Sequence, residues 1–252
     1  MARTRAYTPR EVGEKRYKTL PWDGEWQRVF GRPALNELWF ISGASAQGKS
    51  SFVMQLAKKL CEYGRVLYVS GEEGIRPSFQ RRLQLFHMEE VNSRLLIVED
   101  TDLDKLTARL AKHKSPRFVI VDSFQVAKWT YAEAMELRSR FPQKTFIYIS
   151  QEHKSAPMGI NAVSLRYIAG VKVRVSGFVA LCMGRENEHH GQGFVVWEEG
   201  AVRYGNGSLT PSPSPRGEGS EMPCCLLVKI EWLGWSSRTC LTGQTSPTSP
   251  TN

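Results

Sequence analysis

Between residues 38 and 149 the chain alternates short, wholly apolar runs with longer stretches of mixed polarity. The runs are Leu38-Trp39-Phe40-Ile41, Val66-Leu67-Tyr68-Val69, Leu95-Leu96-Ile97-Val98, Phe118-Val119-Ile120-Val121 and Phe146-Ile147-Tyr148-Ile149. Four apolar residues in a row, rich in β-branched and aromatic types, suit strands buried on both faces of a parallel sheet. In the intervening segments the apolar positions recur at helical spacing. Phe52, Val53, Leu56, Ala57, Leu60 and Cys61 fall on one face at a 3.6-residue period. Strand alternating with helix predicts an α/β fold with a mostly parallel sheet flanked by helices. Two further apolar segments, Phe178 to Met183 and Phe194 to Trp197, are separated by a polar stretch from Glu186 to Gly193. They read as a C-terminal hairpin on the sheet edge.

The flanks differ from this middle. Residues 1–36 form a polar, basic arm broken by Pro9, Pro21 and Pro33, with Trp22, Trp26 and Phe30 as anchors onto the core. Residues 37–206 are the globular domain. From residue 207 the chain turns to Pro/Ser/Gly-rich sequence, SLTPSPSPRGEGS and later TSPTSPTN. Such composition buries too little surface to offset the entropy of ordering it, and it reads as a disordered tail resembling a translated DNA repeat or a displaced reading frame. The formal charge of +9 divides unevenly, with +4 in residues 1–36, a balanced tail, and +5 between them. An excess of this size suits an anionic partner, nucleic acid first, and is also what a merely basic surface would show. None of the five cysteines forms a CxxC pair, so neither a zinc site nor a disulfide framework is expected, in keeping with a reducing cytoplasm. No stretch approaches the roughly 20 apolar residues needed to span a bilayer, and no apolar segment follows the basic N-terminus. The expectation is a cytoplasmic protein without a membrane partner.

The candidate chemistry begins where the first apolar run ends. Gly43-Ala44-Ser45-Ala46-Gln47-Gly48-Lys49-Ser50 fits the pattern GxxxxGK[ST], and Ser51 continues into the helix. Glycines let such a loop curl its N–H groups around a phosphate, and the helix N-terminus adds a favourable dipole. Lys49 would reach the β- and γ-phosphates and the Ser50 hydroxyl would ligate Mg²⁺. Asp122 ends the fourth apolar run, where a carboxylate can hold the Mg²⁺ water shell; an Asp capping the next turn is the alternative. The run ending at Val69 leads into Ser70-Gly71-Glu72-Glu73-Gly74. A carboxylate there can polarise a water for attack on the γ-phosphate, against the alternative of two solvated loop acids.

These motifs together resemble the RecA superfamily, especially its RadA/Sms branch and more distantly the DnaB-type helicases. Leu67 to Glu73 looks like the YVSGEE element of that branch, with Gln80, Arg81 and Arg82 following at a similar interval. Val121 to Gln125 looks like its IDS-hydrophobe-Q element, and Ile149-Ser150-Gln151 like the strand end that carries a γ-phosphate sensor. The similarity runs from about Glu37 to Tyr204, and compact RecA-type ATPases of phages and mobile elements share the W-acid-acid-G-A stretch seen at Trp197 to Ala201. The resemblance implies a RecA-like core binding ATP and Mg²⁺, with Glu72 as catalytic glutamate and Gln151 as sensor. It further implies a homo-oligomeric ring or filament with ATP at the subunit interface, and hydrolysis serving recombination or replication on DNA.

The departures are equally specific. The four-cysteine zinc finger and protease-like domain of the RadA branch have no counterpart in this sequence, so full RadA function is not expected. In the KNRFG-like element Arg185 is retained as a candidate finger for a neighbouring subunit's γ-phosphate, but Met183 replaces the lysine. A surface hairpin arginine is the other reading of Arg185, and His189-His190 reads as an exposed loop rather than a metal site. Residues 153–172 occupy the place of a mobile loop that contacts single-stranded DNA in RecA-type proteins. Lys154, Arg166, Lys172 and Arg174 could neutralise phosphates there, and Tyr167 could stack on a base; a solvated loop with a core tyrosine is the alternative. Two other functions fit a P-loop, a non-hydrolysing nucleotide switch or adaptor and a small-molecule kinase.

Overall fold

The computed structural model of the protein describes residues 6–184 and 192–205. Arg185, His189-His190, the first five residues and the Pro/Ser-rich tail therefore lie outside the described residues. The elements follow in order as α1 (Pro9–Gly13), α2 (Gly24–Phe30), β1 (Leu38–Gly43), α3 (Lys49–Cys61), β2 (Val66–Ser70), α4 (Pro77–Leu85), a 3₁₀ turn (Met88–Val91), β3 (Leu95–Val98), α5 (Leu103–Leu110) and β4 (Phe118–Asp122). They continue as α6 (Phe124–Ala127), α7 (Tyr131–Arg140), β5 (Thr145–His153), β6 (Ala156–Pro157), α8 (Ile160–Ile168), β7 (Val171–Ser176), β8 (Val179–Cys182), β9 (Gly193–Val195) and α9 (Glu198–Tyr204). No helix among them is long and apolar enough to cross a membrane.

One sheet organises the fold, in the order β3-β2-β4-β5-β1-β7-β8-β9, with the short β6 folded back on β5. The pairings from β3 to β7 are parallel, whereas β8 and β9 close the edge as an antiparallel meander. The apolar runs become the central strands because each strand must present apolar side chains to both faces. In β1, Trp39 and Ile41 enter one core while Leu38 and Phe40 enter the other. Tyr68 against Leu67 and Val69, and Ile147 against Phe146 and Tyr148, repeat the alternation. The first core also takes α2, α3 and the buried Phe79 of α4, and the second takes α5 to α8.

Two segments bear on the sequence expectation. The aromatic anchoring of the basic N-terminal segment is present and extends to its neighbours, since Leu20, Trp22, Val29 and Phe30 are fully buried. Trp22, Trp26, Phe30, Phe52 and Phe194 form a chain of ring contacts with centroids 4.6–6.3 Å apart. A buried aromatic of this kind is worth about 3–5 kcal/mol against truncation to alanine, so α2 is part of the folded unit. The stretch read as a loop, residues 153–172, also holds structure, namely β6, α8 and the start of β7. In Val171-Lys172-Val173-Arg174-Val175 every second residue is buried, which is the period of a strand with one face covered.

Candidate nucleotide site

Parallel strands deliver their C-terminal ends to one edge of the sheet, and the sequence motifs lie at those ends. Register sets their heights, since Gly43 of β1 pairs with Gln151 of β5 and Ser70 of β2 pairs with Asp122 of β4. Strand β5 thus stands between the P-loop strand and the strand carrying Asp122. The result is a cavity of about 370 Å³ lined by Ser45, Ala46 and the run Gly48 to Ser51 together with Glu72, Arg82, Asp122, Gln151 and Phe178.

The P-loop folds as it does for local reasons that can be named. Gly48 takes φ +94°, a conformation side chains resist, and opens α3 as its N-cap. A Cβ at Gly48 would also come 2.8 Å from the Phe178 ring, and one at Gly43 would strike the Val175 carbonyl. The loop is braced from the β7–β8 turn. Gly177 N–H donates to Gln47 Oε1 at 2.6 Å and Phe178 N–H donates to the Gln47 carbonyl at 3.1 Å. Lys49 lies over the loop with its ammonium donating to the Ala44 carbonyl at 2.7 Å. Burial lowers the Lys49 pKa, and the negative charges of Glu72, Asp122 and Glu152 oppose that shift without cancelling it.

On the opposite wall, the N–H groups of Gly71 and Glu72 both donate to the Asp122 carbonyl, at 2.7 and 3.0 Å. The loop after β2 is thereby tied to the end of β4, and Glu72 is held facing the P-loop. Its carboxylate accepts a hydrogen bond from Gln151 Nε2 at 2.7 Å. The Asp122 carboxylate accepts from the Tyr68 hydroxyl at 2.6 Å. Burial pushes the Asp122 pKa up to about 6; the Tyr68 hydrogen bond opposes the rise, Glu72 adds to it, and Arg82 and Lys49 oppose it. Tyr68 is raised well above its ordinary value by burial and by the neighbouring Asp122 charge. Gln125 supports the sensor strand, donating to Ser150 Oγ at 2.7 Å and to the Met158 carbonyl at 2.9 Å.

The donor set suits a divalent cation coordinated largely by oxygens from outside the protein. Ser50 and Asp122 line one cavity, while no group of three or more His, Cys, Asp or Glu among the described residues could hold a metal alone. Magnesium characteristically binds through one or two protein oxygens plus phosphates and water.

The residues considered for DNA divide into separate environments. Arg166, Tyr167 and Lys172 line a second cavity of about 470 Å³ with Ala156, Pro157, Val163 and Met183, and Tyr167 is 73% exposed. Lys154 is exposed in the β5–β6 turn. Arg174 instead donates to Glu152 Oε2 at 3.1 Å, and that carboxylate, almost wholly buried, also accepts from Ser42 of β1. Sequence reasoning gave no role to Arg82, Phe178, Tyr68 or Glu152. Tyr68 and Arg82 lay inside recognised motifs, whereas nothing local marks Phe178 or Glu152 as neighbours of the P-loop.

Comparison with known proteins agrees with this geometry. A family described as AAA domain matches residues 28–133. The DNA repair protein RadA of Streptococcus pneumoniae is 31% identical over 102 residues, covering 40% of this chain and 23% of the relative. RadA of Aquifex aeolicus is 33% identical over 85 residues, covering 34% of this chain and 18% of the relative. The chain thus spans less than a quarter of the length of these relatives. Among solved structures, the flagellar accessory protein FlaH from Methanocaldococcus jannaschii superposes with a TM-score of 0.51 at 17% identity, over 69% of this chain and 91% of that one. That likeness speaks to the fold alone, and the fold is shared. With the parallel sheet, the P-loop at its carboxyl edge and the order of its motifs, the chain has a RecA-like α/β P-loop fold and is similar over part of its length to the AAA domain family and to RadA.

Proposed function

We propose that the protein binds ATP with Mg²⁺ at the P-loop, hydrolyses it, and couples hydrolysis to single-stranded DNA in recombination or replication. The observation that carries this reading is the convergence of Lys49, Ser50, Glu72, Asp122 and Gln151 on one cavity, the residue types that phosphoryl transfer to water requires. The P-loop N–H groups and the Lys49 ammonium bind the phosphates once Lys49 leaves the Ala44 carbonyl. Ser50 and Asp122 hold Mg²⁺, which when bound neutralises charge developing on the phosphate oxygens. Glu72 accepts the proton of the attacking water. Gln151, bonded to Glu72 in the present arrangement, links that carboxylate to the γ-phosphate.

The basic, aromatic cavity around Arg166, Tyr167 and Lys172 supports the DNA part of the reading. Cations there can neutralise phosphates, and an exposed tyrosine offers a stacking surface indifferent to sequence. Assembly of several copies into a ring or filament belongs to the same proposal and rests on the RecA-like fold. The test is ATP turnover and oligonucleotide binding with and without single-stranded DNA, in the wild type and in Tyr167→Ala and Lys172→Ala. Stimulation by DNA that both substitutions weaken supports the coupling. Turnover unaffected by DNA, with no DNA binding, sinks it and leaves an ATPase acting elsewhere. ATP binding with no turnover in either condition favours a nucleotide switch.

A further inference from the structure

The nucleotide cavity has two cationic side chains in its wall, Lys49 and Arg82, and only the first belongs to the P-loop. Arg82 comes from α4, an element separate from the P-loop and its helix. Its Nη1 donates to Glu73 Oε2 at 2.5 Å, with Nη2 3.4 Å from Oε1, and both side chains are about one-fifth exposed. Glu73 does not line the cavity, whereas its chain neighbour Glu72 does. One turn of backbone thus carries two acids in different roles, one facing the nucleotide space and one facing the arginine.

The helix that carries Arg82 is fixed to the site. Phe79, one turn before Arg82, is 1% exposed and packs on Tyr68 with ring centroids 5.6 Å apart. Tyr68 in turn holds the Asp122 carboxylate. Movement of α4 would disturb that contact, so the guanidinium sits on a rigid mount and only its side-chain torsions are free to redirect it. A guanidinium presents a planar fork that matches a phosphate as well as a carboxylate. A nucleoside triphosphate brings about four negative charges into a space already holding Glu72 and Asp122. Lys49 alone is a small counterweight, and a second cation lining the same cavity can share that charge.

We propose that Arg82 contacts the terminal phosphate of a bound nucleoside triphosphate from within the same subunit, and that Glu73 is the latch holding the guanidinium at the cavity wall until that phosphate arrives. The inference rests on the nucleotide-binding reading above and assigns it a further residue. It makes the site discriminate triphosphate from diphosphate: a diphosphate satisfies the P-loop but leaves Arg82 on Glu73. Binding of the triphosphate exchanges one charge-assisted pair for another, so Glu73 tunes affinity without touching the nucleotide.

The experiment is calorimetric binding of Mg²⁺ with β,γ-imido-ATP and of Mg²⁺ with ADP to the full chain, for wild type, Arg82→Ala, Arg82→Lys and Glu73→Gln, with a thermal melt of each. Loss of a charge-assisted contact predicts that Arg82→Ala weakens the triphosphate analogue by about 10–100-fold and ADP by less than about 3-fold. Arg82→Lys, which keeps the charge but not the fork, should fall between. Glu73→Gln should leave ADP binding unchanged and hold or tighten the analogue. If Arg82→Ala and Glu73→Gln instead lower the melting temperature alike and weaken both nucleotides equally, the pair merely anchors α4 and the proposal falls. Should Arg82→Ala fail to fold, an unchanged analogue-to-ADP ratio in Arg82→Lys and Glu73→Gln overturns it as well. Failure of the wild type to bind either nucleotide overturns the underlying nucleotide reading instead.

Discussion

The carboxylate expected to serve the metal should destabilise the protein when no metal is present. Asp122 ends β4 against Tyr68, and burial raises its pKa from the ordinary 3.8 to about 6. An acid whose folded pKa is raised binds more protons folded than unfolded between those values, so stability falls as pH rises through that window. Below pH 4 the group is protonated in both states and imposes no penalty; above pH 6 the penalty is complete. The interval is worth at most about 3 kcal/mol at 1.36 kcal/mol per unit. Asp122→Asn removes the charge and keeps an oxygen that can accept the Tyr68 hydrogen bond. It also deprives Lys49 and Arg82 of a favourable neighbour, so a net gain of about 1–3 kcal/mol at pH 7 is the appropriate expectation. For a domain of this size that corresponds to a melting temperature higher by roughly 2–10 °C. The assay is thermal unfolding in EDTA from pH 4 to pH 8. The two proteins should melt together near pH 4 and separate in favour of the variant by pH 6 to 7. Added Mg²⁺ and nucleotide should raise the wild type more than the variant. A variant less stable by the same margin at every pH, or a gap that widens as pH falls, would refute the reasoning.

Other consequences follow from the same geometry. Tyr68→Phe deprives the buried Asp122 of its donor and should lower stability by about 1–3 kcal/mol at pH 7. The loss should shrink below pH 5, where the carboxyl is protonated, and denaturant titration at the two pH values measures the difference. Gly48→Ala places a methyl group 2.8 Å from the Phe178 ring at a φ of +94° and should cost about 1–2 kcal/mol in backbone strain alone. It should also abolish tight nucleotide binding; a variant that melts and binds like the wild type removes Phe178 from the account.

How much of this was legible in the sequence varies with the physics of each part. The five central strands were readable because burial on both faces leaves an uninterrupted apolar run, and the β8–β9 edge because two apolar segments flank a polar one. Strand β7 was passed over because Lys172 and Arg174 interrupt its apolar residues, although alternating burial is itself the signature of a strand with one open face. The P-loop, Glu72, Asp122 and Gln151 sit at strand ends in recognisable short motifs, so their candidacy could be stated before their positions were known. What brings them together is register, the pairing of Gly43 with Gln151 and of Ser70 with Asp122, and no local pattern encodes that. The same holds for Phe178, which meets Gln47 of the P-loop, and for Glu152, which accepts from Ser42 just before it, each across 110 or more residues of sequence. The burial of Trp22 and Phe30 was suggested by aromatic residues in an otherwise polar segment, which is a hint of anchoring but not of how completely α2 joins the core.

The most direct test of the central claim is Mg²⁺-dependent ATP binding and turnover in the wild type, Lys49→Ala and Glu72→Gln side by side. Turnover is expected in the wild type, no tight binding in Lys49→Ala, and in Glu72→Gln near-normal binding with hydrolysis reduced by about 10²–10⁴-fold. A wild type that does not bind ATP, or turnover that survives both substitutions, would contradict it.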